Sequence, residues 1–369
     1  MGNYSRVLLL TVVLLSVVQL VVAIAVDPYD VFGVVRFTKK NFEPNTRYLK
    51  VEYLLTQPRF DAYIFGSSRT MYYAAAAADR ASGERYRFFN FGVSLENGFG
   101  IRRKLEWLIR QKRIQKALIG LDFDIQSVPT DPLDLLRQDH PLVSGDSALG
   151  FYGKYLLFQP RIIALFVAEN LDSRKAYGFE TWDRGNDNGP QALYPIGRPF
   201  DPERLYAVSA GALALDIARS NRKPPRPVAA SGLEEYGRSV ALLDAAGVAR
   251  VLVVPPFSLE KFRSYDIDAY LSWLAETVRV GGRVWDFAGV NSVTADGRNF
   301  GDPVHFLKPV GDMVLRRVLD PNPTGLPADF GVLLTSQNLA ARLVQLRAQH
   351  RKLQLQDQPK SVTTPSSRS

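Results

Sequence analysis

The sequence predicts an α/β protein: a flavodoxin-like, doubly wound parallel five-stranded sheet with a large insertion, preceded by one transmembrane helix. Three observations lead there. Between residues 60 and 319, apolar runs of strand length alternate with segments of helical period. The alternation breaks once, over 126–230. Ahead of it the amino terminus carries an uninterrupted apolar stretch. Alternating strands and helices imply right-handed βαβ units and a sheet covered on both faces.

The apolar stretch runs from Val7 to Val26. It is 20 residues long, uncharged, and polar only at Thr11, Ser16 and Gln19. A helix of that length rises about 30 Å, the thickness of a bilayer's hydrocarbon core. Two readings stay open: an uncleaved signal anchor, or a signal peptide cut at the small pair Ala23 and Ala25. The hydrophobic region of a signal peptide usually runs about 7–15 residues, so the length favours the anchor. Arg6 before the span, and Arg36, Lys39 and Lys40 after it, leave the positive-inside count nearly balanced. The long folded region behind the span makes its export the better expectation. The expected location is therefore the cell inner membrane, single-pass, with that region facing the periplasm.

Residues 27–57 read as a connector without a clear period, and 58–325 as the main domain. FDAYIF (60–65) is a buried strand ending in Gly-Ser-Ser, followed by an alanine-rich helix over 73–82. YRFFNFG (86–92) is a second strand. Phe99, Ile101, Leu105, Leu108 and Ile109 then mark one face of a helix over 96–113. KALIGLDFD (116–124) is a third strand with an acidic end. The insertion 126–230 holds a helix candidate at 151–168, a polar stretch at 178–190 and a proline-rich stretch at 221–227. The alternation then resumes. A helix at 233–247 closes on Gly247, and the strand RVLVVPP (250–256) is stopped by its prolines. A helix at 268–279, the strand RVWDFAG (283–289) and a helix at 309–319 follow. Residues 326–369 read as a basic helical segment and a disordered tail.

Composition removes several function classes. With no cysteine there is no disulfide, thiolate metal site or cysteine nucleophile. The net charge of +9 is concentrated in residues 331–369, where six basic side chains face Asp357 alone. The body lacks a basic stripe interleaved with aromatics, so no nucleic-acid partner is expected.

In a parallel sheet, ligands gather beyond the carboxyl ends of the strands. Ser68 lies in the turn Gly66-Ser67-Ser68-Arg69-Thr70 after the first strand. A serine hydroxyl needs a base to become a nucleophile. Of the three histidines, His140 falls in the insertion and His350 in the tail, whereas His305 falls in the loop after the last strand. That loop opens on the same sheet edge as Ser68. Asp302 precedes His305 by three residues, close enough in a tight turn to accept the imidazole Nδ1 proton. Pro303 stiffens the turn. Two more strand ends reach the edge: Asn90-Phe91-Gly92 and Gly120-Leu121-Asp122-Phe123-Asp124.

These blocks resemble the SGNH (GDSL-like) hydrolases over about 60–325, apart from the insertion. The resemblance makes Ser68 the nucleophile and Ser67 a departure from the family's Gly-Asp-Ser. It makes the amides of Ser68 and Gly92 the oxyanion donors, and it matches the Asp-x-x-His block with Asp302 and His305. The family's Gly-x-Asn-Asp is matched imperfectly by Gly120-Leu121-Asp122-Phe123. An ionised Asp122 cannot donate to an oxyanion as the family's asparagine does. Either Asp122 is protonated, or it turns away, or the site is not catalytic. The layout is also similar to envelope proteins that acylate or deacylate polymers, such as the D-alanine transfer protein of teichoic acids and the alginate acetylation proteins. The resemblance implies a serine esterase or O-acyltransferase acting on an envelope polysaccharide or related ester, without cofactor or metal. Its expected partners are the membrane, an acyl-ester or polysaccharide substrate and a membrane O-acyltransferase.

Two alternatives remain. Asp122-x-Asp124 after an apolar strand suits a hard divalent cation, as in a metal-dependent transferase. A degenerate scaffold would instead serve as a non-catalytic polysaccharide-binding or assembly factor, with Tyr177, Phe179, Trp182 and Tyr194 of the insertion lining a glycan groove.

Overall fold

The computed structural model describes residues 3–29, 31–33, 45–56, 59–124, 134–157, 160–171 and 230–356. Six short strands form one mixed sheet: Ala62–Phe65 (β1), Phe88–Asn90 (β2), Lys116–Gly120 (β3), Ala249–Val254 (β4), Val284–Asp286 (β5) and Val332–Leu334 (β6). Their order is β2-β1-β3-β4-β5-β6, with β1 to β5 paired in parallel and β6 antiparallel to β5. The helices are Asn3–Val26 (α1), Thr46–Thr56 (α2), Ala75–Ala81 (α3), Gly98–Arg110 (α4), Pro141–Ser144 (α5), Ala148–Tyr155 (α6), Pro160–Leu171 (α7), Ala230–Ala245 (α8), Leu259–Ser264 (α9), Ile267–Gly281 (α10), Lys308–Leu319 (α11) and Leu339–Gln356 (α12).

Alternation along the strands builds two cores. Tyr63, Phe65, Ala117, Ile119, Leu252 and Val254 point to one face, where they join Leu105 of α4, Leu243 of α8 and Leu274 of α10. Ala62, Ile64, Leu118 and Val253 point to the other, where they join Ala78 of α3 and Val314 of α11. Both faces are thus buried, which is why the strands read as continuous apolar runs. The chain passes from β1 outward to β2 and then returns beyond β1 to β3. The order reverses between β1 and β3, where open α/β sheets place their ligand crevice.

The expected five parallel strands are present, but among the described residues the sheet is mixed and has six. β6 lies beyond residue 325, so the sheet takes in part of the carboxyl-terminal segment. Arg342 on α12 closes this edge: its Nε donates to the buried Asp286 carboxylate at 2.8 Å. The connector also differs. Its residues 46–56 form α2, whose inward side carries the buried Arg47 and Lys50 as well as Val51 and Leu54. Those buried charges hide the apolar period. The helix expected over 151–168 is two helices, α6 and α7. Pro160 begins the second, where a missing N–H costs nothing. Tyr177, Phe179, Trp182 and Tyr194 fall outside the described residues, as do 357–369.

α1 is long and apolar enough to span a membrane or to act as a signal anchor. Its side chains are exposed except near the carboxyl end, where Ala23 is buried.

Candidate functional site

Ser68, His305 and Asp302 come together at the carboxyl edge of the sheet. Ser68 Oγ lies 2.7 Å from His305 Nε2, and His305 Nδ1 lies 2.6 Å from Asp302 Oδ2. The carboxylate can only accept, so Nδ1 carries a proton and donates it to Asp302. The neutral tautomer then leaves Nε2 as the acceptor for the Ser68 hydroxyl.

The spacing of Asp302 and His305 has a local cause. Asp302 Oδ1 accepts from the amides of Val304 and His305, at 2.8 and 2.9 Å, while Oδ2 holds the ring. One carboxylate therefore shapes the turn and orients the imidazole. Burial pushes the Asp302 carboxyl up, but the His305 ring and the two amides outweigh it and hold it below the usual carboxylate value. The loop is pinned outside as well: the Ser258 amide donates to the Pro303 carbonyl at 3.1 Å. Tyr72 stacks on the imidazole, with ring centroids 5.6 Å apart and planes 19° apart. It thereby joins the Ser68 side of the site to the His305 side.

Ser68 is not at the start of a long helix. A single 3₁₀ turn, Thr70–Tyr72, follows it, and its amides donate to the carbonyls of Ser67, Ser68 and Arg69. The turn is seated by glycines. A Cβ at Gly66, Gly92 or Gly120 would run into the Thr70 side chain, so the ends of β1, β2 and β3 leave a socket that Thr70 fills. Gly66 also has φ +143°, a conformation reserved for glycine. Thr70 Oγ1 donates to the Ser67 carbonyl at 2.8 Å and completes the seat.

Gly92 therefore serves packing. Its N–H donates to Asn90 Oδ1 at 2.9 Å, so this amide, expected to face an oxyanion, is already engaged. Asn90 in turn donates to the carbonyls of Thr70 and Tyr73, both at 2.8 Å. The Ser68 N–H makes no hydrogen bond to a protein acceptor among the described residues, and it is the free donor beside the hydroxyl.

Asp122 is engaged by neighbouring side chains. It accepts from Ser67 Oγ, and its Oδ1 lies 2.7 Å from Arg69 Nη1. Arg69 is 2% exposed and reaches Asp124 with its other nitrogen at 3.0 Å. Asp124 also meets Lys261 Nζ at 3.2 Å and accepts from the Tyr265 hydroxyl at 2.8 Å. Burial works against the Arg69 charge, but Asp122, Tyr265 and Asp124 outweigh it and raise its pKa. Burial likewise works against the Asp124 charge, and Lys261 and Arg69 overcome it, holding its carboxyl below the usual value. Both acids of the Asp-x-Asp pair are thus neutralised by side-chain cations, and no group of three metal-ligating side chains occurs among the described residues.

Sequence reasoning gave no role to Arg69, Thr70, Tyr72, Lys261 and Tyr265, and it matched Gly120 to a family block without its part in the Thr70 socket. Two of these had a signal. Gly120 ends a strand next to the serine strand, and Arg69 follows Ser68 directly. The other two histidines are elsewhere: His140 caps α5 and pairs with Glu52, and His350 meets the Arg263 carbonyl. Compared with known protein families and curated protein sequences, the chain matches no family model and no curated sequence.

Proposed function

We propose that the protein is a serine-dependent esterase or O-acyltransferase with a flavodoxin-like, SGNH-type domain. The reading gives it an envelope polysaccharide or related ester as substrate, on the periplasmic side of the inner membrane. One observation carries it: the unbroken hydrogen-bond chain Ser68–His305–Asp302 at the carboxyl edge of a parallel sheet, beside the strand-order reversal. In the reaction, Ser68 Oγ attacks the ester carbonyl and His305 Nε2 takes its proton. His305 returns the proton to the departing alcohol, leaving an acyl group on Ser68. Water or a glycan hydroxyl then gives its proton to His305, attacks the acyl carbon, and Ser68 is restored. The Ser68 N–H is the donor at hand for the oxyanion. Asp302 stays ionised and stabilises the imidazolium. The pairing of Asp122 with Arg69 and Ser67 supports this reading, since the carboxylate already has partners of its own.

A second reading is a non-catalytic polysaccharide-binding or assembly factor. It is favoured by the thin oxyanion site, since Gly92 N–H is engaged and Asp122 is an acid. Removing one oxyanion donor typically costs about 2.7–4 kcal/mol of transition-state stabilisation. A fluorophosphonate probe separates the two readings. The enzyme reading expects labelling of the wild type that Ser68→Ala abolishes. Equal, background labelling of both proteins, under conditions that label a control hydrolase, rejects it.

A further inference from the structure

The carboxyl end of α1 is not free of the domain. The Gln19 side-chain amide donates to the Leu156 carbonyl at the link between α6 and α7, and α7 itself contacts α1. Beyond the helix, the Asp27 carboxylate accepts from the amides of Val31, Phe32 and Gly33 at 2.8–2.9 Å, which ties down the exit turn. Gln19 lies two helical turns before Val26, about 10 Å along the axis. If α1 spans a bilayer with Val26 at the edge of the hydrocarbon core, that bond holds Leu156 within about 10 Å of that edge. Interfacial amphipathic helices settle about 5–10 Å into the headgroup–acyl boundary.

The exposed side of α6 and α7 suits that position. In PRIIALFVAENL no charge falls between Arg161 and Glu169. Ala164, Val167, Ala168 and Leu171 are exposed and recur at the spacing of one helix face. Leu171 is 79% exposed, Leu157 63% and Leu149 of α6 86%. An apolar face of this kind in water is a standing cost unless something covers it. The other side of the unit is well packed. Phe151 and Tyr155 of α6 are buried with Leu135, Tyr29, Val31 and Tyr48, and Ile162 of α7 lies against them.

We propose that α6 and α7 form a second, interfacial contact with the bilayer that α1 spans, the apolar face being covered by lipid at the headgroup–acyl boundary. The proposal rests on the anchor reading of α1. Tyr48 of this packed unit lies on α2, and Lys50 of the same helix donates to the Asn90 and Gly92 carbonyls at the end of β2. The contact therefore sets the orientation of the candidate site to the membrane as well as its tether length.

The chain lacks cysteine, so single-cysteine variants of the full chain can be labelled cleanly. The positions are Leu149→Cys, Leu171→Cys, Leu14→Cys and, as an equally apolar control on α12, Val344→Cys, which is 71% exposed. Each carries an environment-sensitive fluorophore in vesicles of phosphatidylethanolamine and phosphatidylglycerol. The expected result is blue-shifted emission at 149 and 171, quenched by nitroxide lipids labelled near the headgroup and little by aqueous iodide. Position 344 should show the reverse, and position 14 should be quenched by nitroxide deep in the acyl chains. Deep quenching at 14 with iodide quenching at 149 and 171 overturns the interfacial contact and leaves the anchor standing. Shielding of 149 and 171 from both quenchers also overturns it, by assigning the face to a protein. A mature chain without residue 14 in lipid sinks the anchor reading, and this inference with it.

Discussion

The Ser68 turn and the His305 loop meet across 2.7 Å, yet they are held in different ways. The turn is locked from below. Thr70 is fully buried in a socket of three strand-end glycines, and the buried Arg69 grips two carboxylates from the end of β3. The loop is held largely by its own polar groups, and the side chains of His305 and Asp302 remain 25% and 29% exposed. A change in the turn must therefore disturb packing shared by three strands. A change in the loop can remove chemistry and leave the fold. The difference predicts where stability and activity can be separated.

The largest expected effect tests the loop. Asp302→Asn keeps the shape but cannot hold the same tautomer, and the proposed ester hydrolysis should fall by about 1,000- to 10,000-fold. The unfolding free energy should fall by no more than about 2 kcal/mol, because the lost charge-assisted bonds are partly open to water. Steady-state kinetics and urea denaturation on the same preparation read both numbers. A protein that unfolds outright would break the comparison. Next comes the turn. Arg69→Ala leaves Asp122 buried without its cation, which should cost about 3–5 kcal/mol of stability by denaturation. Here fluorophosphonate labelling of Ser68 should be lost together with the fold's stability, not separately from it. A third change sharpens the socket. Gly120→Ala forces a Cβ against Thr70 Cγ2, at an expected cost of about 1–3 kcal/mol. Thr70→Ser removes that methyl and keeps the hydroxyl that bonds Ser67. The double variant should therefore recover much of the loss, and strict additivity would show that Thr70 is not what Gly120 accommodates.

The same contrast explains what could be read from the sequence. The five parallel strands were legible because each is buried on both faces, so its apolar run is continuous. Ser68 and His305 could be paired by topology alone, since both follow strands of one sheet. Asp302 was legible because its contact with His305 is local. The socket and the Arg69 cluster were not, since they join residues far apart in sequence that carry no local pattern. Arg69 meets Asp122 and Asp124 only after β1 and β3 pair, and Gly92 reads equally well as an amide donor or a packing seat. α2 escaped notice for a related reason: Arg47 is buried against Glu96, and Lys50 against main-chain carbonyls, so its core face reads as polar. β6 has only three residues and pairs antiparallel with β5, outside the strand–helix alternation.

The smallest effect concerns acid stability, and it tests whether the loop's polar bonds contribute to folding at all. In the folded protein the Asp302 carboxyl sits below its ordinary value of 3.8, despite burial, because the His305 ring and the amides of Val304 and His305 favour its charged form. As pH falls, the unfolded chain takes up this proton first. Stability from Asp302 is therefore complete above the ordinary value and lost as pH falls through the lower folded-state value. Urea denaturation of wild type and Asp302→Asn, from near neutrality into that acid range, should show a small gap that closes only at the acid end. A gap that stays constant would mean that His305 and the two amides hold Asp302 equally well with and without its charge. The loop would then owe its shape to packing, as the Ser68 turn does, and the contrast between the two halves would fail.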